Sequence, residues 1–342
     1  MTTMKHHMRS HTLSGIVLGA VLVSVWPAAP AQAAATLHTY VAKANGSDGN
    51  AAATESCNIT QPCLTLSTAM TNTLAGGTIT ILDEYDIVTT ALTITQSITI
   101  EGRPGVNAII RLGSNSALGI QPGPSDVVTL RNLAILKQNS TSGSGIVFNR
   151  GKALILDSVW IAGQHSYGLL FQPDTAAAGG VPTQLHVHNS VIAENGLGNI
   201  YIIPFLNGIS VAATLDRVTV RNSTFGVKAD GNSQATGQID VEVFESVASS
   251  NSTNGYIAVS NAGQAPVHFK VTRSIAHNNA AFGAVASGAQ AFMIVSGSSL
   301  ARNGTGLSQQ SSSTVATYTN NDINFNNGGS NTSGTITPIA QQ

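Results

Sequence analysis

Between residues 185 and 279 the chain repeats one pattern of apolar and polar positions. The copies are "LHVHNSVIAEN" from 185, "ATLDRVTVRNS" from 213, "VEVFESVASSN" from 241 and "FKVTRSIAHNN" from 269, each 28 residues after the last. Their first and third letters are apolar and their second and fourth mostly polar, the period-two alternation of a strand with one buried face. Three earlier segments fit the same frame: "LTITQSITIEG" from 92, "VTLRNLAILKQ" from 128 and "LILDSVWIAGQ" from 154. A weaker echo, "TNNDINFNN", covers 319–327. The centre of the frame is Ser or a small apolar residue. Its end is Asn, Gln, Ser or Gly, and of these Asn and Gly suit tight turns.

A second short strand follows each copy and is usually opened by Gly, as in "GIVF" (145), "GLLF" (168), "GVKA" (226) and "GYIAV" (255). Each repeat therefore predicts about three short strands joined by sharp polar turns, with no helix of useful length. Fixed-period strands of this kind point to a solenoid. Leucine-rich and helical repeats are excluded, since neither a Leu/Asn consensus nor helical periodicity is present. A parallel β-helix fits, its coils stacked ~4.8 Å apart in about eight or nine rungs. Ahead of it, "TLSTAMTNTLAGG" (65–77) reads as a short amphipathic helix. An open first rung is a sticky strand edge, so a cap is physically required there.

The opening "TYVAKANGSDGN…CNITQPCLTLSTAM…AGGTITIL" and the rungs after it resemble the secreted bacterial right-handed parallel β-helix proteins of the pectate-lyase-like superfamily, over roughly residues 37–327. The resemblance implies an all-β chain with a capping segment at 34–91, a right-handed β-helix at 92–327 and a tail at 328–342. It implies little about activity, because that scaffold hosts lyases, hydrolases, adhesins and proteins without known activity. Lyases of the family use a carboxylate cluster for calcium and a basic residue. Its hydrolases use paired carboxylates. The Gly-opened strands offer only Lys228 and Asp230, and neither "NTD" nor "GHG" occurs, so no catalytic residue transfers by motif.

Residues 1–33 read as an export signal: a cationic "MTTMKHHMRSH", an apolar "LSGIVLGAVLVSVW" and "AQA" ending at Ala33. The apolar run is too short and wrongly flanked for a membrane span, and no later segment is a candidate. Export makes a bridge between Cys57 and Cys63, the only cysteines, the expected state. Closing so short a loop should contribute about 2 kcal/mol and pin a turn. A zinc site there would lack His or Cys neighbours. Charged residues are 9% and the formal net charge is −1, which argues against a nucleic-acid or anionic-membrane partner, since both need a basic face.

Stacking the frames places Arg131, Asp157, His188 and Asp216 in one outward column, with His186 beside it. An imidazole between two carboxylates keeps its charge more readily, so this column could do acid–base work or hold a ligand. It could equally be a charge ladder of alternating sign. Metal binding is disfavoured, because side chains standing parallel on a flat strand face do not converge to zinc-bond distances, and no cofactor is expected. A fifth-letter column of Asn189, Arg217, Glu245 and Arg273 reads as cross-rung pairing. Trp160 is a candidate sugar-stacking platform, although its column neighbours suggest partial burial. The insertion at 172–184 breaks the 28-residue step and must bulge from one face. Two functions fit: a secreted protein binding glycan or another extracellular partner along its repetitive face, or a polysaccharide lyase or glycoside hydrolase with an unfamiliar site.

Overall fold

The computed structural model describes residues 35–52, 56–83, 86–89 (backbone), 92–113, 117–137, 142–327 and 330–340. The predicted export signal, 1–33, lies outside the described residues. The rest is a parallel β-solenoid whose coils have three faces. From Thr183 one coil runs through Thr183–His188, Val191–Ala193 and Gly198–Ile202 before the next begins at Val211–Asp216. Earlier, Val127–Lys137 and Ala153–Ala162 each pass through the first two faces without a break. First and second faces merge into a 19-stranded sheet among the described residues, and the third face forms a 10-stranded one.

The register follows the frame. Leu154 lies opposite Leu185, then Ala213, Val241, Phe269 and Met293 on successive coils. These residues are buried, and together with the third face they fill the interior. Sharp bends between the faces explain the remaining letters. The fifth letter takes a left-handed backbone on six successive coils, with φ from 45° to 56° at Asn132, Ser158, Asn189, Arg217, Glu245 and Arg273. A second left-handed column follows at Glu194, Asn222, Ser250, Asn278 and Arg302. Outside glycine such backbone is uncommon, least so for Asn and Asp, so Arg and Glu are held there by their neighbours.

Two buried ladders do the holding. In the first, the backbone N–H of Val218, Ser246 and Ser274 donates to the hydroxyl of Ser246, Ser274 and Ser298 on the next coil. In the second, Asn195, Ser223, Asn251 and Asn279 donate backbone N–H to the side chains of Ser223, Asn251, Asn279 and Asn303. Turn backbone that strand pairing leaves unpaired is thereby satisfied in the interior. On the third face the opening glycine is a matter of clearance. A Cβ on Gly255 would come within 2.5 Å of the Gly283 carbonyl oxygen and 3.2 Å of Ala248 Cβ.

The stack differs from the predicted boundaries at both ends. Thr36–Val41 already pairs in parallel with Thr73–Ile81, which pairs with Ile98–Gly102. At the other end Ile336–Ile339 pairs with the strand Thr314–Tyr318, so the segment expected to be a tail closes the last coil. The frame copy placed at 92 is also out of phase. Leu92 and Ile94 belong to the third face opposite Leu118 and Ile120, and it is Ile98 that lies opposite Val128. Apolar triplets alternate on every face, so alternation alone does not say which face a triplet occupies.

The capping helix is short, Leu66–Thr71, because Thr73 already begins a strand. Thr65 caps it by accepting from the Thr68 N–H, and Leu66 and Ala69 are buried. The Cys57–Cys63 bridge is formed, and it does more than pin a turn. Both cysteines are fully buried in the core. Their loop hydrogen-bonds the outer edge of Thr36–Val41, through Tyr40 N–H to Cys57 O and Cys63 N–H to Tyr40 O. The free edge of the first strand is covered in this way. Among the described residues no helix is long and apolar enough to cross a membrane.

Candidate functional site

The register sets Arg131, Asp157, His188 and Asp216 opposite one another on successive first-face strands, with His186 opposite Ile155 and Thr214. Their side chains are drawn into separate pairings. Arg131 turns to Glu101 on the coil before it, 3.2 Å away. Asp157 Oδ1 accepts from Asn189 Nδ2 at 3.2 Å and from the Ser158 hydroxyl at 3.1 Å. His188 Nδ1 lies 3.7 Å from Asp216 Oδ2, but the same oxygen is held at 2.7 Å by Arg217. Arg217 Nε in turn donates to Asn189 Oδ1. A polar network thus runs from Asp157 through Asn189, Arg217 and Asp216 to His188. The fifth-letter bend residues supply its links, which a strict strand register does not anticipate.

His186 is not part of that network. Its ring stacks on His188 with centroids 6.2 Å apart and planes 6° from parallel. Burial, and secondarily the charge of His188, push its pKa below the ordinary value. Farther along the face, Lys270 pairs with Glu242, His268 with Asp240, and Arg273 with Glu245 while lying 3.9 Å over the Phe244 ring. These contacts are those of a charge ladder paired largely within itself, although Asp216 Oδ1 is buried without a hydrogen-bond partner. No group of three or more His, Cys, Asp or Glu side chains among the described residues could hold a metal ion.

Trp160 stands on the second face between Ala134 and Val191, and it is 47% exposed, more than its neighbours suggested. Three residues later the chain enters the second bend, and there the coils form a groove of about 830 Å³. Four coils contribute after Lys137: Gly163–His165, Glu194–Leu197, Asn222–Thr224, and Ser250 with Ser252. The buried asparagine ladder fixes its floor through Asn195 and Ser223. Above the floor, His165 and Asn222 are exposed, and Leu197 gives an apolar contact at 47% exposure. Glu194 pairs with Arg221 at 3.6 Å, and Lys137 adds a cation at one end of the groove.

Hydroxyls, amides and peptide groups recur on this surface from coil to coil, beside a comparable share of apolar surface. It is an open, shallow groove rather than an enclosed cavity. The strand pattern does not reveal it because the groove is built from the last two letters of the frame and those just after it, which look like interchangeable turn residues. The only signal was the recurrence of "EN", "NS", "SN" and "NN" in register. The insertion at 172–184 lies elsewhere, at the third turn, where Pro173 O accepts from Phe205 N–H and Pro124 O from Ala178 N–H.

No family model matches the chain, and no curated protein matches it. A solved structure described as the crystal structure of pectate lyase Pel9A is similar in fold, with a TM-score of 0.47 and 13% identity. The match covers 86% of this chain and 80% of that one. At that level the likeness says nothing of activity.

Proposed function

We propose that this is an exported protein that binds a largely uncharged polysaccharide chain laid across its coils in the second-bend groove. The observation that carries the reading is the groove itself, which crosses four coils and offers a similar set of polar groups on each. Coils repeat every ~4.8 Å, close to the length of one sugar residue in an extended chain. Successive sugars can then meet equivalent donors and acceptors. Export is supported by the signal-like pattern of residues 1–33 and by the Cys57–Cys63 bridge. The charges of the first face pair mostly with one another, which favours a role in register.

Native gel electrophoresis through neutral and uronate polysaccharides tests the reading. Retardation is expected in at least one neutral glycan, with Leu197→Asp weakening it and added salt changing it little, since Glu194 and Arg221 already offset each other. Unchanged mobility in every gel would overturn it. New reducing ends or unsaturated products in the same mixtures would replace binding with catalysis.

A further inference from the structure

Three aromatic rings cluster on the outer side of the third face, beside the groove. Tyr167, Tyr201 and Phe225 come from three successive strands, Tyr167–Phe171, Gly198–Ile202 and Phe225–Asp230. Their centroids are 5.1 Å (Tyr167 to Tyr201), 6.1 Å (Tyr167 to Phe225) and 6.0 Å (Tyr201 to Phe225) apart. None of them is needed to fill the interior, which these strands reach with Leu169, Ile200 and Val227, each buried. The rings remain only partly covered.

Gly198 brings two of them together. It lies opposite Tyr167, and a Cβ there would sit 2.4 to 2.7 Å from atoms of the Phe225 ring, so the absence of a side chain lets that ring lie over the backbone. The third ring is fixed from the other side. Tyr201 donates to Asp230 Oδ2 at 3.1 Å, Lys228 Nζ lies 2.8 Å from the same oxygen, and its cation sits 4.9 Å over the Tyr201 ring. Burial, reinforced by the Asp230 carboxylate, pushes the Tyr201 phenol up and keeps it a neutral donor. Leu197 and Thr224, which line the groove, immediately precede Gly198 and Phe225. The rings therefore begin where the polar groove ends.

We propose that Tyr167, Tyr201 and Phe225 form a stacking subsite for a pyranose ring, at the third-face edge of the groove. The proposal rests on the groove reading and adds the kind of contact that selects the sugar. The C–H face of a pyranose is apolar and complements an aromatic face. An equatorially substituted hexose, which presents such a face, is favoured over one with an axial hydroxyl pointing at the rings. Because the rings are held before binding, little is lost in ordering them.

The test is titration calorimetry of the exported protein with oligosaccharides of whichever glycan retards it. Tyr167→Ala and Phe225→Ala should each weaken binding roughly tenfold, while Tyr167→Phe and Phe225→Tyr bind like the unaltered protein. Gly198→Val, which displaces the Phe225 ring without removing one, should weaken binding as well. Should an alanine variant fail to fold, Gly198→Val and the other alanine variant still decide. Affinity unchanged in the alanine variants but lost in Leu197→Asp would overturn the subsite and leave the groove standing. If no glycan binds the unaltered protein, the groove reading falls and the subsite with it.

Discussion

Asn279 shows how one repeated letter can hold a coil. Its side chain accepts from Asn251 N–H and Nδ2 and donates to Ala248 O on the preceding coil, and donates to Asn303 Oδ1 on the next. Asn279→Ala would leave several buried groups unpaired, each at about 1–3 kcal/mol. A loss of about 3 kcal/mol or more is expected, read from the midpoint of urea unfolding. An unchanged midpoint would mean that the ladder is incidental. His186 gives a second residue-scale expectation, in pH. Burial depresses its pKa in the folded state, so just below about 6.5 the unfolded chain binds more protons than the folded one. Its contribution is complete above that pH and is lost as pH falls through it. His186→Gln should flatten the acid limb of the stability profile. Some slope should remain from His277, depressed chiefly by burial and also by Arg302, against an opposing effect of Asp322.

At the scale of the element, the strands and their phase were legible in the sequence from residue 128 onward. There the inward letters are long apolar side chains and the outward ones polar. Register was not legible at residue 92, because "LTI" and "ITI" are the same alternating triplet on two different faces. The bends were legible as turns, but their chemistry was not. The fifth letter reads as a column of cross-rung pairs, and Arg217 does pair there with Asn189 and Glu245; its left-handed bend, which the pattern does not show, also brings the guanidinium to Asp216. The glycine column is testable at Gly255. Gly255→Ala forces a Cβ against the Gly283 carbonyl and should destabilise by about 2 kcal/mol, visible as a lower melting temperature. The cysteine loop acts on the cap. Replacing Cys57 and Cys63 together by Ser should cost about 2 kcal/mol and speed hydrogen exchange in Thr36–Val41, whose outer edge that loop covers. Faster exchange spread evenly over all coils would contradict a local role.

For the molecule as a whole, stacking converts one short frame into long columns, and function belongs to the columns. The outward charges of the first face were visible in the sequence, and the structure ties them to each other. The groove was not visible, since no single coil contains it: it exists only where four second bends are superposed. The proposed ligand is a polysaccharide chain crossing those coils, one sugar to a rung. The most direct measurement is calorimetric affinity against oligosaccharide length, from a single sugar upward, for the glycan that retards the protein. Affinity should climb with each added residue until the chain spans the groove, about four or five residues at ~4.8 Å per coil, and then level off. Binding that is as tight for the single sugar as for the longest chain, or absent at every length, would contradict it.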